Sequence, residues 1–203
     1  MMHIGTMHPS DASYIADFHR QSISSGFIST LPIAFIKRLY IYINTSPFST
    51  VLVSKDEEGR VGGYIAGTIS TAGMYKWILG RHAISLGLSA LPACLSLPAI
   101  KNVIETLWYG FYNKSDSGAS AAEGAELLSI VVSPDFRRKN IGRGLVAAFE
   151  RYLLDKKISS YTVTTHAANA ISTSFYRGLG FVEARRFMHH GNEMISFRKT
   201  IVS

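Results

Sequence analysis

Residues 126–152, ELLSIVVSPDFRRKNIGRGLVAAFERY, constrain the fold more than any other stretch of the chain. They predict a strand, a tight basic turn and a helix in direct succession. Leu128, Ile130 and Val132 alternate with Leu127, Ser129 and Val131, the period-two pattern of a strand buried on at least one face. Ser133-Pro134-Asp135 closes the strand, because proline has no amide with which to continue a ladder. Leu145, Ala148, Phe149 and Tyr152 then recur at helical spacing and form one apolar stripe.

The chemistry lies in the turn. Arg137-Arg138-Lys139-Asn140-Ile141-Gly142-Arg143-Gly144 gathers four cations around a glycine-containing helix start. Free amides and the positive dipole end at a helix N-terminus attract phosphate, and glycine lets phosphate approach the backbone. No Gly-Lys-Ser/Thr follows as in a Walker A loop, and the Gly-x-Gly-x-x-Gly of a dinucleotide fold is absent. By itself the turn would also suit a solvated basic connection. A second segment, Asn169-Ala170-Ile171-Ser172-Thr173-Ser174-Phe175-Tyr176-Arg177-Gly178-Leu179-Gly180-Phe181, follows an expected strand at Ser160 to Thr165.

The two segments resemble motifs A and B of the GNAT family of acetyl-CoA-dependent N-acetyltransferases. In the first pattern, Gln/Arg-x-x-Gly-x-Gly/Ala, Arg137 takes the first place and Gly142 the last, with Asn140 where the first glycine is expected. Asn tolerates unusual backbone angles better than most residues. In the second pattern, Asn-x-x-Ala-x-x-Leu/Phe-Tyr-x-x-x-Gly-Phe, Ser172 replaces the usual Ala. The resemblance is strict over residues 126–201 and looser over the rest. It implies a single domain spanning 1–203 of α/β (α+β) class: a mixed, mostly antiparallel central sheet with helices on both faces and a splay between the two motif strands.

It also implies roles. Arg137, Arg138, Lys139, Asn140, Ile141, Gly142, Arg143 and Gly144 would hold the phosphates of coenzyme A. Backbone amides of Ile130, Val131 and Val132 would line the pantetheine and the thioester oxygen, where a preorganised donor lowers the barrier most. Tyr176 looks like the general acid for the thiolate, since phenol and thiol pKa values are roughly 10 and 8.5. Asn169 would cap the second motif's helix and bond the pantetheine or nearby backbone. Glu126, at the start of the motif A strand, is the preferred general base, ahead of Glu123, Glu105 and His166; a water chain is the other option.

Charge fits this picture. The 21 basic and 14 acidic residues leave a net charge of +7, which suits an anionic cofactor, an anionic membrane or nucleic acid. No aromatic-interleaved basic signature for RNA or DNA accompanies it, so nucleic acid is excluded as a partner. Cys94 is the only cysteine, which rules out an internal disulfide and a cysteine-based zinc site and suits a small buried hydrophobe. Adjacent His189 and His190 face opposite ways in an extended chain, so no metal site is expected. The start, MMHIGTMHPSD, has no signal-peptide pattern, and a cytoplasmic location is expected.

Along the remainder, His3 to Met7 predicts a first strand. Ser10 or Asp11 caps a helix with Tyr14, Ile15 and Phe18 on one face. Thr30 caps a second, with Pro32 in its first turn and Ile36, Leu39, Tyr40 and Ile43 as its stripe. Ser49–Ser54 and Val61–Ile69 form a hairpin, and Phe181–Phe187 with Met194–Val202 form another around Gly191-Asn192. Between strands 3 and 4 lies a helical insertion at about 74–112, whose residues 83–100 carry no charge but include Pro92 and Pro98. Three readings stand for it: a helical excursion packed on the domain or a second subunit, a membrane-surface element, or a span.

The acceptor is expected between the Ser22–Ser29 loop, the end of the motif A strand and the His189–Asn192 turn, with Phe27 and Phe187 as walls. The expected activity is transfer of acetyl from acetyl-CoA to a primary amine of a small molecule or peptide. The alternatives are a non-catalytic acyl-CoA-binding module, or a membrane-surface enzyme with a lipid-linked acceptor.

Overall fold

The computed structural model describes residues 2–23, 27–90, 124–189 and 191–201. The chain runs β1 (His3–Thr6), α1 (Ala12–Ser22), α2 (Ile33–Thr45), β2 (Ser49–Lys55), β3 (Val61–Thr68), α3 (Thr71–Ala90), β4 (Glu126–Val132), α4 (Ile141–Asp155), β5 (Ser160–His166), α5 (Ala170–Arg177), β6 (Val182–His189) and β7 (Asn192–Thr200). The strands form one seven-stranded sheet in the order β1-β2-β3-β4-β5-β7-β6. Among the described strands only β4 and β5 pair in parallel.

β3 is buried along its whole length, and its alternation distributes the two cores. Tyr64 and Ala66 point into a core built by α1, α2 and α3, whereas Ile65 joins α4, β5 and β7 on the other face. Gly67 is where α4 comes closest to the sheet: a Cβ there would stand 2.2 Å from the Phe149 ring. Only glycine lets that fully buried ring lie against the strand.

The motif A strand departs from simple alternation. Ala66 pairs with Ser129 and Gly67 with Leu127, so Leu128 is an extra residue, a β-bulge. As a result Leu128, Ser129 and Val131 all face the α1–α3 side, while Leu127, Ile130 and Val132 face α4. The two alternating sets expected from the sequence are therefore exchanged across the bulge. A one-residue slip reverses every later side chain, because the strand period is two.

The helices need smaller corrections. α1 buries Ala12, Ile15, Ala16 and His19, and Tyr14 is 58% exposed. The face turns because His19 finds a buried partner in Tyr40. Asp11 stands at the N-cap without capping: its carboxylate accepts the His8 N–H at 2.9 Å and pairs with Lys55 at 2.8 Å. Pro32 rather than Thr30 is the N-cap of α2, whose buried residues are Phe35, Ile36, Tyr40 and Ile43. Thr30 instead ends a 3-10 turn over Phe27–Thr30. On α4 the buried stripe is Ile141, Leu145, Val146, Phe149 and Leu153, with Ala148 and Tyr152 at its half-buried margin.

The described part of the insertion begins earlier than expected, at Thr71, and docks on the domain. Arg38 donates to the Ser85 carbonyl at 2.8 Å, the Tyr42 and Ser85 hydroxyls lie 2.8 Å apart, and His82 stacks on Tyr42 at 3.9 Å. Among the described residues no helix is long and apolar enough to cross a membrane. Residues 91–123, which include Cys94, Glu105 and Glu123, lie outside the described residues, as does most of the uncharged 83–100 run.

Candidate active site

A slot opens where β4 leaves β5. The two strands pair only at Glu126 with Thr162 and Leu127 with Val163, yet β4 continues to Val132 and β5 to His166. The bulge at Leu128 falls where the pairing stops, and bulges bend the strand that carries them. The splay expected from the resemblance is thus present, with a physical cause in β4.

Alternation decides which β4 amides can serve the slot. Ser133 donates to the Gly62 carbonyl at 3.0 Å, so its N–H faces β3. The Val131 N–H therefore also faces β3, and those of Ile130 and Val132 face the slot. Of the three amides proposed for the cofactor, Val131's is committed to the ladder.

The basic turn stands at one end of β4. A 3-10 turn over Pro134–Phe136 leads into it. Arg138 (φ 61°) and Asn140 (φ 58°, ψ 14°) take left-handed backbone conformations. Asn suits that region better than other non-glycine residues, which explains Asn140 in a place where glycine was expected. The first intrahelical bond runs from the Gly144 N–H to the Asn140 carbonyl, and the Asn140 side chain makes no capping bond. The N–H groups of Ile141, Gly142 and Arg143 are thus left for an external acceptor.

The cations there are exposed. Arg137 donates to the Val132 carbonyl (3.3 Å), Arg143 to the Gly178 carbonyl (3.4 Å), and Lys139 lies 5.2 Å from the Phe136 ring centroid. Among the described residues none of Arg137, Arg138, Lys139 and Arg143 pairs with a carboxylate. A Cβ on Gly142 would meet Phe175 of α5 at 3.2 Å, so this glycine serves the packing of α4 on α5. Open amides, left-handed turn residues and exposed cations fit a polyphosphate.

Glu126 lies at the closed end of the slot, half-buried beneath α3. Thr71 donates to its carboxylate at 3.2 Å. Burial pushes the carboxyl above its ordinary value, and the Thr71 bond offsets part of that rise. Tyr75 of α3 is pushed up to about 12, chiefly by burial and further by the Glu126 charge. α3 was not foreseen as part of the site; Thr71 and Tyr75 carry no motif that would announce it.

Tyr176 is buried in an aromatic cluster with Phe175, Phe181 and Phe197 at centroid distances of 5.5, 5.4 and 6.0 Å. Burial pushes its phenol up to about 12, so it stays protonated at neutral pH. Asn169 caps α5, its Oδ1 accepting the Ser172 N–H at 3.0 Å. His166 ends β5, and its carbonyl accepts the Asn169 N–H at 3.0 Å. Residues 24–26 and 190 of the expected acceptor surface lie outside the described residues. No group of three potential metal ligands occurs among the described residues.

The arrangement is a slot between two parted strands of a mixed sheet, with a basic turn at one end. Residues 20–181 match the family model described as acetyltransferase (GNAT) family. The chain belongs to that family and is an acetyl-CoA-dependent acetyltransferase.

Solved structures share the fold. Ribosomal-protein-alanine N-acetyltransferase from Brucella melitensis matches with a TM-score of 0.63 at 17% identity, over 98% of this chain and 99% of that one. YncA from Salmonella typhimurium, solved with its cofactor acetyl-CoA, gives 0.61 at 15% identity, over 100% and 95%. PaiA N-acetyltransferase from Thermoplasma acidophilum, solved with coenzyme A, gives 0.56 at 13% identity, over 97% and 98%. No curated protein sequence matches the chain.

Proposed function

We propose that the protein transfers an acetyl group from acetyl-CoA directly to a primary amine of a small molecule or peptide, both substrates being bound together. The observation that carries this reading is the slot itself. β4 and β5 part after Leu127 and Val163, with open amides and four exposed cations at one end and the Glu126 carboxylate at the other.

Bound acetyl-CoA supplies an acyl thioester already activated toward amines. The Arg137–Gly144 turn holds its phosphates through the helix amides and the cations. The Ile130 and Val132 N–H groups are donors for the acyl oxygen. Glu126 takes the proton from the acceptor's ammonium, directly or through water, and its raised pKa brings it closer to the amine in basicity. Tyr176 carries the proton for the departing sulfur. At about 12 its phenol is a weaker acid than a free one, so it works best against a thiolate whose own basicity is raised by the same dry surroundings. Asn169 has its Oδ1 occupied by the cap, which leaves its amide nitrogen to donate to the pantetheine.

The test is calorimetric titration with acetyl-CoA, coenzyme A and 3′-dephospho-coenzyme A, followed by thiol-release assays against a panel of amines. Micromolar binding that weakens without the 3′-phosphate, then amine-dependent thiol release, is the expected result. Absence of binding to all three carriers would overturn the proposal, and binding without thiol release from any amine would refute a primary-amine acceptor.

A further inference from the structure

A polar chain crosses the α1–α3 core and ends at half-buried Ser129 on the bulged strand. His19 of α1, Tyr40 of α2, Tyr64 of β3 and Ser129 of β4 meet there. The Tyr40 hydroxyl is the hub. It lies 2.7 Å from His19 Nδ1, 2.9 Å from the Tyr64 hydroxyl and 3.0 Å from Ser129 Oγ. A phenol donates one hydrogen bond and accepts two, so these three contacts use its full capacity. The rings add edge-on contacts at 5.7 Å for His19–Tyr40 and 5.3 Å for Tyr40–Tyr64.

His19, Tyr40 and Tyr64 are buried and Ser129 is half-buried, and polar groups in such a core are tolerated when they hydrogen-bond one another, as these do. The location of Ser129 gives the chain a further consequence. It directly follows the bulged residue Leu128 and directly precedes Ile130, whose N–H faces the slot. A bulge leaves a residue outside the ladder, so the backbone there needs another restraint. The Tyr40–Ser129 hydrogen bond is such a restraint, tying β4 to α2 across the core.

We propose that Tyr40 and Ser129 are positioning residues for acyl transfer: their hydrogen bond locks the β4 bulge and so aims the Ile130 N–H at the thioester carbonyl oxygen. This rests on the function proposed above. An oxyanion donor must lie within about 2.7–3.1 Å of the oxygen it serves, so a small relaxation of the bulge weakens polarisation of the carbonyl without disturbing the distant phosphate turn.

The experiment reads the carbonyl stretch of [1-13C]acetyl-CoA bound to the wild type, Tyr40→Phe, Ser129→Ala and Ser129→Thr, beside calorimetric affinities for coenzyme A. The wild-type complex should show a red-shifted stretch relative to free acetyl-CoA. Tyr40→Phe and Ser129→Ala should return the stretch toward the free value with coenzyme A affinity unchanged within about twofold. Ser129→Thr, which keeps the hydroxyl, should retain the shift. In thiol-release assays the first two variants should lose about tenfold in kcat with KM unchanged. An identical stretch in wild type and both variants would overturn the positioning role, as would a wild-type complex with no red shift. Failure of the wild type to bind coenzyme A would instead remove the function on which the role depends.

Discussion

His19 makes protonation a direct probe of the buried network. It is 5% exposed, its Nδ1 is taken by Tyr40, and its Nε2 has no hydrogen-bond partner among the described residues. Burial without a countercharge lowers its pKa from 6.5 to about 4. Between those values the unfolded chain binds the proton more readily than the folded one, so stability rises with pH across the interval. The contribution is complete above pH 6.5 and is lost as pH falls toward 4. The full shift corresponds to about 3 kcal/mol, and integration from pH 7 down to pH 5 gives about 2 kcal/mol. Urea unfolding of the wild type and His19→Gln at pH 5, 6, 7 and 8 isolates this part, because the glutamine variant keeps every other titrating group. The stability difference between the two proteins should shrink by about 2 kcal/mol from pH 7 to pH 5. Parallel stability curves would refute the claim that this imidazole is buried neutral.

Glu126→Gln should slow transfer and abolish the acidic limb of the rate profile, which in the wild type falls as pH drops through the raised carboxyl pKa. The same variant should be as stable as the wild type or more so at pH 8, since ionising this carboxyl works against the fold; a marked loss of stability there would contradict its strained burial. Tyr176→Phe should lower kcat by roughly 10–100-fold, a typical general-acid contribution, with coenzyme A affinity unchanged, and undiminished kcat would remove its acid role. Gly67→Ala should cost about 3 kcal/mol or more of stability in urea unfolding, because the added carbon would lie 2.2 Å from the Phe149 ring. A loss below about 1 kcal/mol would mean that the α4–sheet contact is looser than described.

Much of the site was legible in the chain because its signals are local. The turn between β4 and α4 needs residues that accept left-handed angles, cations and an uncapped helix start, and all of these are contiguous. Asn140 at φ 58° and Asn169 capping α5 are where residue type alone pointed. The two hairpins and the strand–helix order were similarly written in short-range periodicity and turn residues.

The bulge at Leu128 was not legible, since ELLSIVV alternates well enough for either register and only pairing with β3 decides between them. Nor did the sequence place Thr71 and Tyr75 over Glu126, or set Tyr40 between His19 and Ser129, which lie 21 and 89 residues from it in the chain. The sequence by itself determined the fold class and the basic turn, because neighbouring residues carry that information within a few bonds. The bulge that parts the strands, the direction of each β4 amide and the network behind them were decided only by the tertiary structure, because they depend on register and on contacts that exist only once distant segments are packed.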